Sequence, residues 1–279
     1  SLLDKDRDLF LKIKALINTD IGKMDHIKDV ILMLRKYVKV GEVEKKKFGE
    51  VMTPLELVKE MLATLPEEVW SNPDLKWLDP ANGTGPYPTW VIFKLMKGLE
   101  KWEPNEEKRY KHIVENMIYV CELQPKNMFL YMCAVDPWDI YKLNIYTGSF
   151  LEAGFDKHMK EVWGVEKFDI VIGNPPYNTG TSGSNGNRDL WDKFVIKSFD
   201  ILNKDAYLSF IHPPKWRKPE SNLYKLFSDN NLIYLEIHSD VDGYKLFGAT
   251  TRYDWYLLQK CDYNGKTIVI DELSKKIEI

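Results

Sequence analysis

Apolar positions keep two different rhythms along the chain. Phe10, Ile13 and Ile17, then Ile27, Val30, Ile31, Leu34 and Val38, recur at steps of three and four, as the buried faces of two amphipathic helices do. The spacing predicts a helical leader reaching about Tyr37, followed by a solvated Lys/Glu-rich connector from Glu42 to Lys47. Beyond it, short β-type runs alternate with helical patterns: Lys76 to Asp79, Met117 to Cys121, Phe168 to Gly173, Ala206 to Ile211, Leu232 to His238 and Tyr253 to Gln259. That alternation predicts an α/β fold, a doubly wound and mostly parallel sheet covered by helices. No helix is evident between the last two runs, so the sheet is expected to end in an antiparallel hairpin. The expected division is a helical leader over 1–44, one α/β domain over 45–262, and a short tail over 263–279.

Composition narrows the class. A chain of 279 residues with 44% hydrophobic residues can bury one substantial core plus small additions. With 29% charged residues and no apolar run near the roughly 20 that a membrane helix needs, no membrane partner is expected. The opening Ser1-Leu2-Leu3-Asp4 has no basic and apolar signal-peptide pattern, which predicts a cytoplasmic protein. Cys121, Cys133 and Cys261 are far apart and have no paired Cys/His spacing, so reduced thiols and no metal site are expected. A formal charge of -3 argues against a nucleic-acid clamp spread over the whole surface.

The first candidate chemistry is Trp77-Leu78-Asp79-Pro80-Ala81-Asn82-Gly83-Thr84-Gly85, a strand end running into a glycine turn and then a helical pattern over Thr89 to Met96. Glycines let backbone approach a ligand closely, and open α/β sheets bind cofactors at the carboxyl ends of their strands. Two nucleotide motifs do not fit. The dinucleotide fingerprint needs a third glycine where Pro88 stands, and a phosphate-binding loop needs Gly-Lys where Gly85 meets Pro86.

Glu122 closes the next β run, where a carboxylate can accept both ribose hydroxyls of an adenosine group. Its distance from Gly85 exceeds the usual ~20 residues, and the excess coincides with the charged stretch Lys97 to Asn116, which reads as an insertion.

The most specific pattern is Phe168-Asp169-Ile170-Val171-Ile172-Gly173-Asn174-Pro175-Pro176-Tyr177. Two consecutive prolines remove two backbone donors and fix φ, so the carbonyls around Asn174 and Pro175 are rigid and lack strand partners. The Asn174 side-chain oxygen and the Pro175 carbonyl can together accept both hydrogens of an NH2 group, while Tyr177 offers a flat face to a planar base.

At these residues the sequence resembles the adenine-specific DNA methyltransferases of restriction-modification systems, in their gamma-type order. Phe48-Gly49-Glu50-Val51-Met52-Thr53-Pro54, ahead of the helical Leu55 to Leu62, is similar to the motif that precedes the glycine turn in that family. Physically, Thr53 with Glu56 reads as a capping box, with Pro54 at the first helical position. The resemblance covers about 45–260, including Ala206 to Pro214 and Lys245 to Thr251. It implies a seven-stranded methyltransferase sheet and S-adenosylmethionine as cofactor, held by Phe48, Gly49, Thr53, Asp79, Pro80, Ala81, Asn82, Gly83, Gly85, Glu122, Ser149 and Phe150. It further implies that Asn174, Pro175, Pro176 and Tyr177 act on the exocyclic amine of adenine, with Tyr177 and Phe247 against the base. A base buried in a duplex cannot reach such a pocket, so the partner is DNA with its target adenine flipped out.

Three departures accompany the resemblance. Ser149 stands where the family usually carries an acidic residue, and Asn82 replaces a small one. Only 262–279 follow the last motif, so the target-recognition domain is expected on a missing C-terminal region or a separate specificity subunit. Related Asn-Pro-Pro-Tyr enzymes methylate a glutamine amide of release factors, or ribosomal RNA; a catalytically silent DNA-binding subunit is a further alternative. The run 178–187, rich in Gly, Ser, Thr and Asn, has nothing to bury and is expected to be mobile until DNA binds.

Overall fold

The computed structural model describes residues 53–178, 189–248 and 250–278. The leader, Phe48, Gly49 and nearly all of the 178–187 run lie outside these residues, so their expected roles rest on sequence.

Among the described residues one sheet of nine strands runs in the order β3-β2-β1-β4-β5-β7-β6-β8-β9. The strands are β1 (Trp77–Asp79), β2 (Ile118–Glu122), β3 (Asn144–Thr147), β4 (Phe168–Gly173), β5 (Leu202–His212), β6 (Asn231–His238), β7 (Tyr253–Gln259), β8 (Ile268–Ile270) and β9 (Lys276–Glu278). The five from β3 across to β5 are parallel, and β7 enters antiparallel between β5 and β6. The chain steps outward from β1 to β3, then returns to β4 on the other side of β1. The carboxyl ends of β1 and β4 therefore border a topological switch point, where such sheets bind ligands.

Each face of the sheet is covered. On β7, Tyr253, Trp255 and Leu257 enter one apolar core while Tyr256 and Leu258 enter the other, the two-residue alternation of a strand buried on both sides. Helices α1 (Leu55–Ala63), α2 (Pro86–Gly98) and α4 (Pro125–Val135) pack on the first face. Helices α5 (Ala153–Glu161), α6 (Trp191–Asp200) and α7 (Asn222–Asp229) pack on the second.

The stretch Lys97 to Asn116, read as an insertion, is folded: it carries α3 (Glu106–His112) and leads into a single π-helical turn over Ile113–Met117, whose Ile113, Val114 and Met117 are core residues. Two expectations need correction. The antiparallel pair β6 and β7 is present, but α8 (Asp240–Phe247) joins them in place of a tight turn. Ser239 caps α8, accepting from the Asp242 N–H while the Asp242 carboxylate accepts from the Ser239 N–H. Gly243, a poor helix former that disguised this element, is required there: a Cβ would stand 1.8 Å from the Thr251 carbonyl oxygen. Finally, the tail extends the sheet from seven strands to nine. β8 pairs in parallel with β6 and buries Val269, and β9 returns antiparallel.

Candidate active site

The turn after β1 is built around Asp79. Its Oδ1 accepts the Ala81 N–H at 3.0 Å, while Oδ2 is buried with no hydrogen-bond partner among the described residues. Burial above all, with the nearby Glu122 charge adding, pushes this carboxyl up to about 8, against the opposing Ala81 hydrogen bond. β4 passes very close: a Cβ on Gly173 would lie 2.7 Å from Asp79 Oδ1, so glycine at the end of β4 is a packing requirement. Asn82 donates its N–H to the Cys121 carbonyl at 2.9 Å, which ties the turn to β2. Gly83, at φ 55°, has open space where a side chain would stand. Gly85, at φ 87°, caps α2 and faces the Tyr131 ring so closely that a Cβ would come within 2.3 Å of it.

Glu122 sits at the tip of β2 and is buried. Its Oε2 accepts the Gly83 N–H at 2.8 Å and its Oε1 the Gln124 N–H at 2.8 Å. A carboxylate offers about four lone-pair sites, so capacity remains for ligand hydroxyls. At the tip of β3, the Gly148 N–H donates to the Glu122 carbonyl, and Ser149 Oγ accepts from the Leu151 N–H at 3.3 Å. Phe150 is fully buried and packs against Phe194 of α6 at 5.2 Å between ring centroids.

One cleft gathers Pro80, Ala81, Gly83, Glu122, Ser149, Phe150, Asn174 and Pro176 of the expected residues. It is also lined by Leu123, Gln124, Asn127, Gly148, Leu151, Leu190 and Phe194, which sequence reasoning did not select. Leu123 and Gln124 follow Glu122 directly, and Leu190 and Phe194 lie on the amphipathic stretch after the Gly/Ser-rich run, so adjacency was the available signal. Asp79, Asn82 and Gly85 shape the turn from behind the lining. These residues fit an adenosine cofactor: the open space over Gly83 and the Glu122 carboxylate border one cleft.

Asn174 stands at the boundary of this cleft. Its Nδ2 donates to Thr53 Oγ1 at 3.1 Å, and its Oδ1 has no hydrogen-bond partner among the described residues. Thr53 therefore serves Asn174 rather than a capping box. Helix α1 begins with Pro54 as an N-cap lacking a side-chain bond, and Glu56 pairs with Lys59 at 2.8 Å. With Pro54 rather than Thr53 at the N-cap, Glu56 is the second helical residue and lacks the register a capping box needs. Pro175 is buried, outside the cleft lining, and its carbonyl accepts no hydrogen bond among the described residues. Tyr177 and Phe247 come together edge to face, with centroids 6.4 Å apart at 86°. The Tyr177 hydroxyl is buried without a partner.

The strand order β3-β2-β1-β4-β5-β7-β6, extended here by β8 and β9, is the fold of S-adenosylmethionine-dependent methyltransferases. A protein assigned to the class I enzymes of that kind, from Listeria monocytogenes, matches with a TM-score of 0.59 and 14% identity, over 90% of this chain and 74% of that one. A methyltransferase subunit of a type I restriction-modification system from Streptococcus thermophilus matches with a TM-score of 0.61 and 14% identity, over 91% of this chain and 53% of that subunit. The chain thus spans about half the length of such subunits. An adenine-specific methylase of Mycoplasma pneumoniae is 29% identical over 304 aligned positions, 81% of this chain and 71% of the relative. The Eco57I restriction-modification methylase model matches residues 104–247, just over half of the chain. This chain belongs to that family, which bears out the resemblance read from its motifs.

Proposed function

We propose that this chain transfers a methyl group from S-adenosylmethionine to the 6-amino group of an adenine flipped out of duplex DNA. The observation that carries the reading is Asn174: its amide is pinned by Thr53, and both its Oδ1 and the Pro175 carbonyl are unengaged beside a cleft suited to an adenosine group. The Mycoplasma pneumoniae relative named as adenine-specific supports the choice of base. Neighbours of known structure support the choice of DNA. A type ISP restriction-modification enzyme solved with a DNA substrate mimic shares the fold with a TM-score of 0.63 at 17% identity, over 90% of this chain and 26% of that one. Target choice would then fall to a further recognition region or a specificity subunit. Among the described residues no helix is long and apolar enough to cross a membrane.

S-adenosylmethionine supplies an activated methyl group, so the protein's task is chiefly orientation and electrostatics. In this reading Glu122 accepts hydrogen bonds from the ribose and Gly83 lets the ligand approach the backbone. Phe48, Gly49, Ser149 and Phe150 complete the cofactor side, while Thr53, expected there from the sequence, holds the Asn174 amide. Asn174 Oδ1 and the Pro175 carbonyl each accept one amine hydrogen, drawing the nitrogen lone pair out of the ring and toward the methyl group. The amine proton leaves after transfer, when the nitrogen carries positive charge, so no prior base is needed. Tyr177 and Phe247 hold the ring plane, and Pro176 makes the turn rigid.

Labelled-methyl transfer offered to DNA, ribosomal RNA and a release factor tests the reading, with label expected on adenine N6 of DNA. Label on a glutamine amide or on RNA would replace it by one of the related activities. Asn174→Ala should lower DNA methylation at least ~100-fold, as loss of a key polar contact in a transition state does, with calorimetric cofactor affinity nearly unchanged. A matching loss of cofactor affinity would move Asn174 to the cofactor site.

A further inference from the structure

We infer that Thr53 sets the hydrogen-bonding polarity of the target pocket, so that the pocket selects an amine over a carbonyl at the reacting position. The inference rests on the proposed role of Asn174 and assigns the choice of group to a residue 121 positions away in sequence.

A carboxamide is nearly symmetric in shape. A half-turn exchanges its oxygen, an acceptor, with its NH2, a double donor, and leaves packing unchanged, so hydrogen-bond partners alone decide which end faces outward. For Asn174 the only such side-chain partner among the described residues is Thr53, whose Oγ1 takes up Nδ2 at 3.1 Å. As the acceptor in this bond, the hydroxyl must direct its own hydrogen elsewhere. Thr53 is held rigidly: it is 3% exposed and sits immediately before the Pro54 cap of α1, whose buried face joins the core. With Nδ2 turned to Thr53, Oδ1 and the Pro175 carbonyl offer the target two acceptors. A ring amine satisfies both, whereas a ring carbonyl meets two lone pairs and leaves all three oxygens unpaired. Sites of this kind discriminate strongly because the wrong ligand strands buried polar atoms. If the acceptor on Thr53 is removed, the amide is free to turn its NH2 outward, which admits a carbonyl and repels the amine. Thr53 is thus a positioning residue that acts through Asn174.

The test uses the whole chain with the DNA site mapped from wild-type methylation. Duplexes carry either adenine or hypoxanthine at that site, the latter presenting a carbonyl where adenine has its amine. Thr53→Val keeps the shape and removes the hydroxyl. It should narrow the ratio of the two binding constants about tenfold and lower kcat on adenine about tenfold, scaled to a lost polar contact. Cofactor affinity should stay within about twofold on the same scale. Thr53→Ser should restore both ratio and kcat. Thr53→Ala gives the same readout if Val is not tolerated in the buried position. An unchanged ratio, or a fall in kcat matched by an equal loss of cofactor affinity, overturns the inference while leaving the proposed reaction standing. Absence of adenine N6 methylation by the wild-type chain would overturn both.

Discussion

Glu122 Oε2 accepts the backbone N–H of Gly83 at 2.8 Å, so the acidic tip of β2 and the glycine turn after β1 form one unit before any ligand arrives. Glu122→Ala removes both the proposed acceptor for ribose and the group that holds Gly83. Cofactor dissociation constants should rise at least ~10-fold, since hydrogen bonds to charged acceptors contribute roughly 1.5–3 kcal/mol each. Glu122→Gln, which keeps one acceptor oxygen, should fall between. Calorimetry with S-adenosylhomocysteine gives the answer, and an unchanged constant would remove Glu122 from the site.

Asp79 makes stability depend on pH with a definite sign. Its folded-state value is raised from the usual carboxylate range to about 8, so the folded chain keeps a proton that the unfolded chain releases above about pH 4. This contribution to stability is greatest at low pH, declines between about 4 and 8, and is lost above that. Asp79→Asn fits the same space beside Gly173 and removes the titration. Denaturant unfolding should then show a shallower decline across that window and a gain on the order of a few kcal/mol at alkaline pH. A variant with the wild-type pH slope would mean that Asp79 is ionised in the fold.

Tyr177 carries a hydroxyl that is buried and unpaired, so in the proposed reaction its ring rather than its oxygen would act. Tyr177→Phe should leave methylation within a few-fold of wild type and raise stability by up to about 1 kcal/mol, the scale of relieving an unsatisfied polar group. Tyr177→Ala should cost kcat/KM roughly 10- to 100-fold through lost stacking. Inactivity of the Phe variant would give the hydroxyl a chemical task.

Gly243 shares helix α8 with Phe247, the ring proposed to lie against the base. Because a Cβ would clash with the Thr251 backbone, Gly243→Ala must shift α8, and Phe247 lies one turn farther along it. Stability should drop by about 1–3 kcal/mol, as for overpacking elsewhere. KM for DNA should rise while cofactor affinity holds. Normal DNA kinetics would detach Phe247 from the target site.

The sequence by itself determined those parts whose signals are local. β4 was legible because an apolar run stops at Asn-Pro-Pro, where prolines end strand pairing whatever surrounds them. Glu122 was legible as a carboxylate at a strand tip. The helix α8 was hidden, because Asp-Val-Asp-Gly reads as a turn until the Thr251 backbone is known to need a glycine there. β8 and β9 were hidden because three-residue strands carry little periodicity, and their stability comes from pairing beside β6. The bond between Thr53 and Asn174 lay beyond local reading as well. The sequence pattern matched Thr53 with Glu56, three residues away, whereas the fold brought it to an amide 121 residues away. A hydroxyl can serve any partner within reach. Proximity across the chain is set only when the sheet has ordered its strands and α1 has packed against them, and that decision belonged to the tertiary structure.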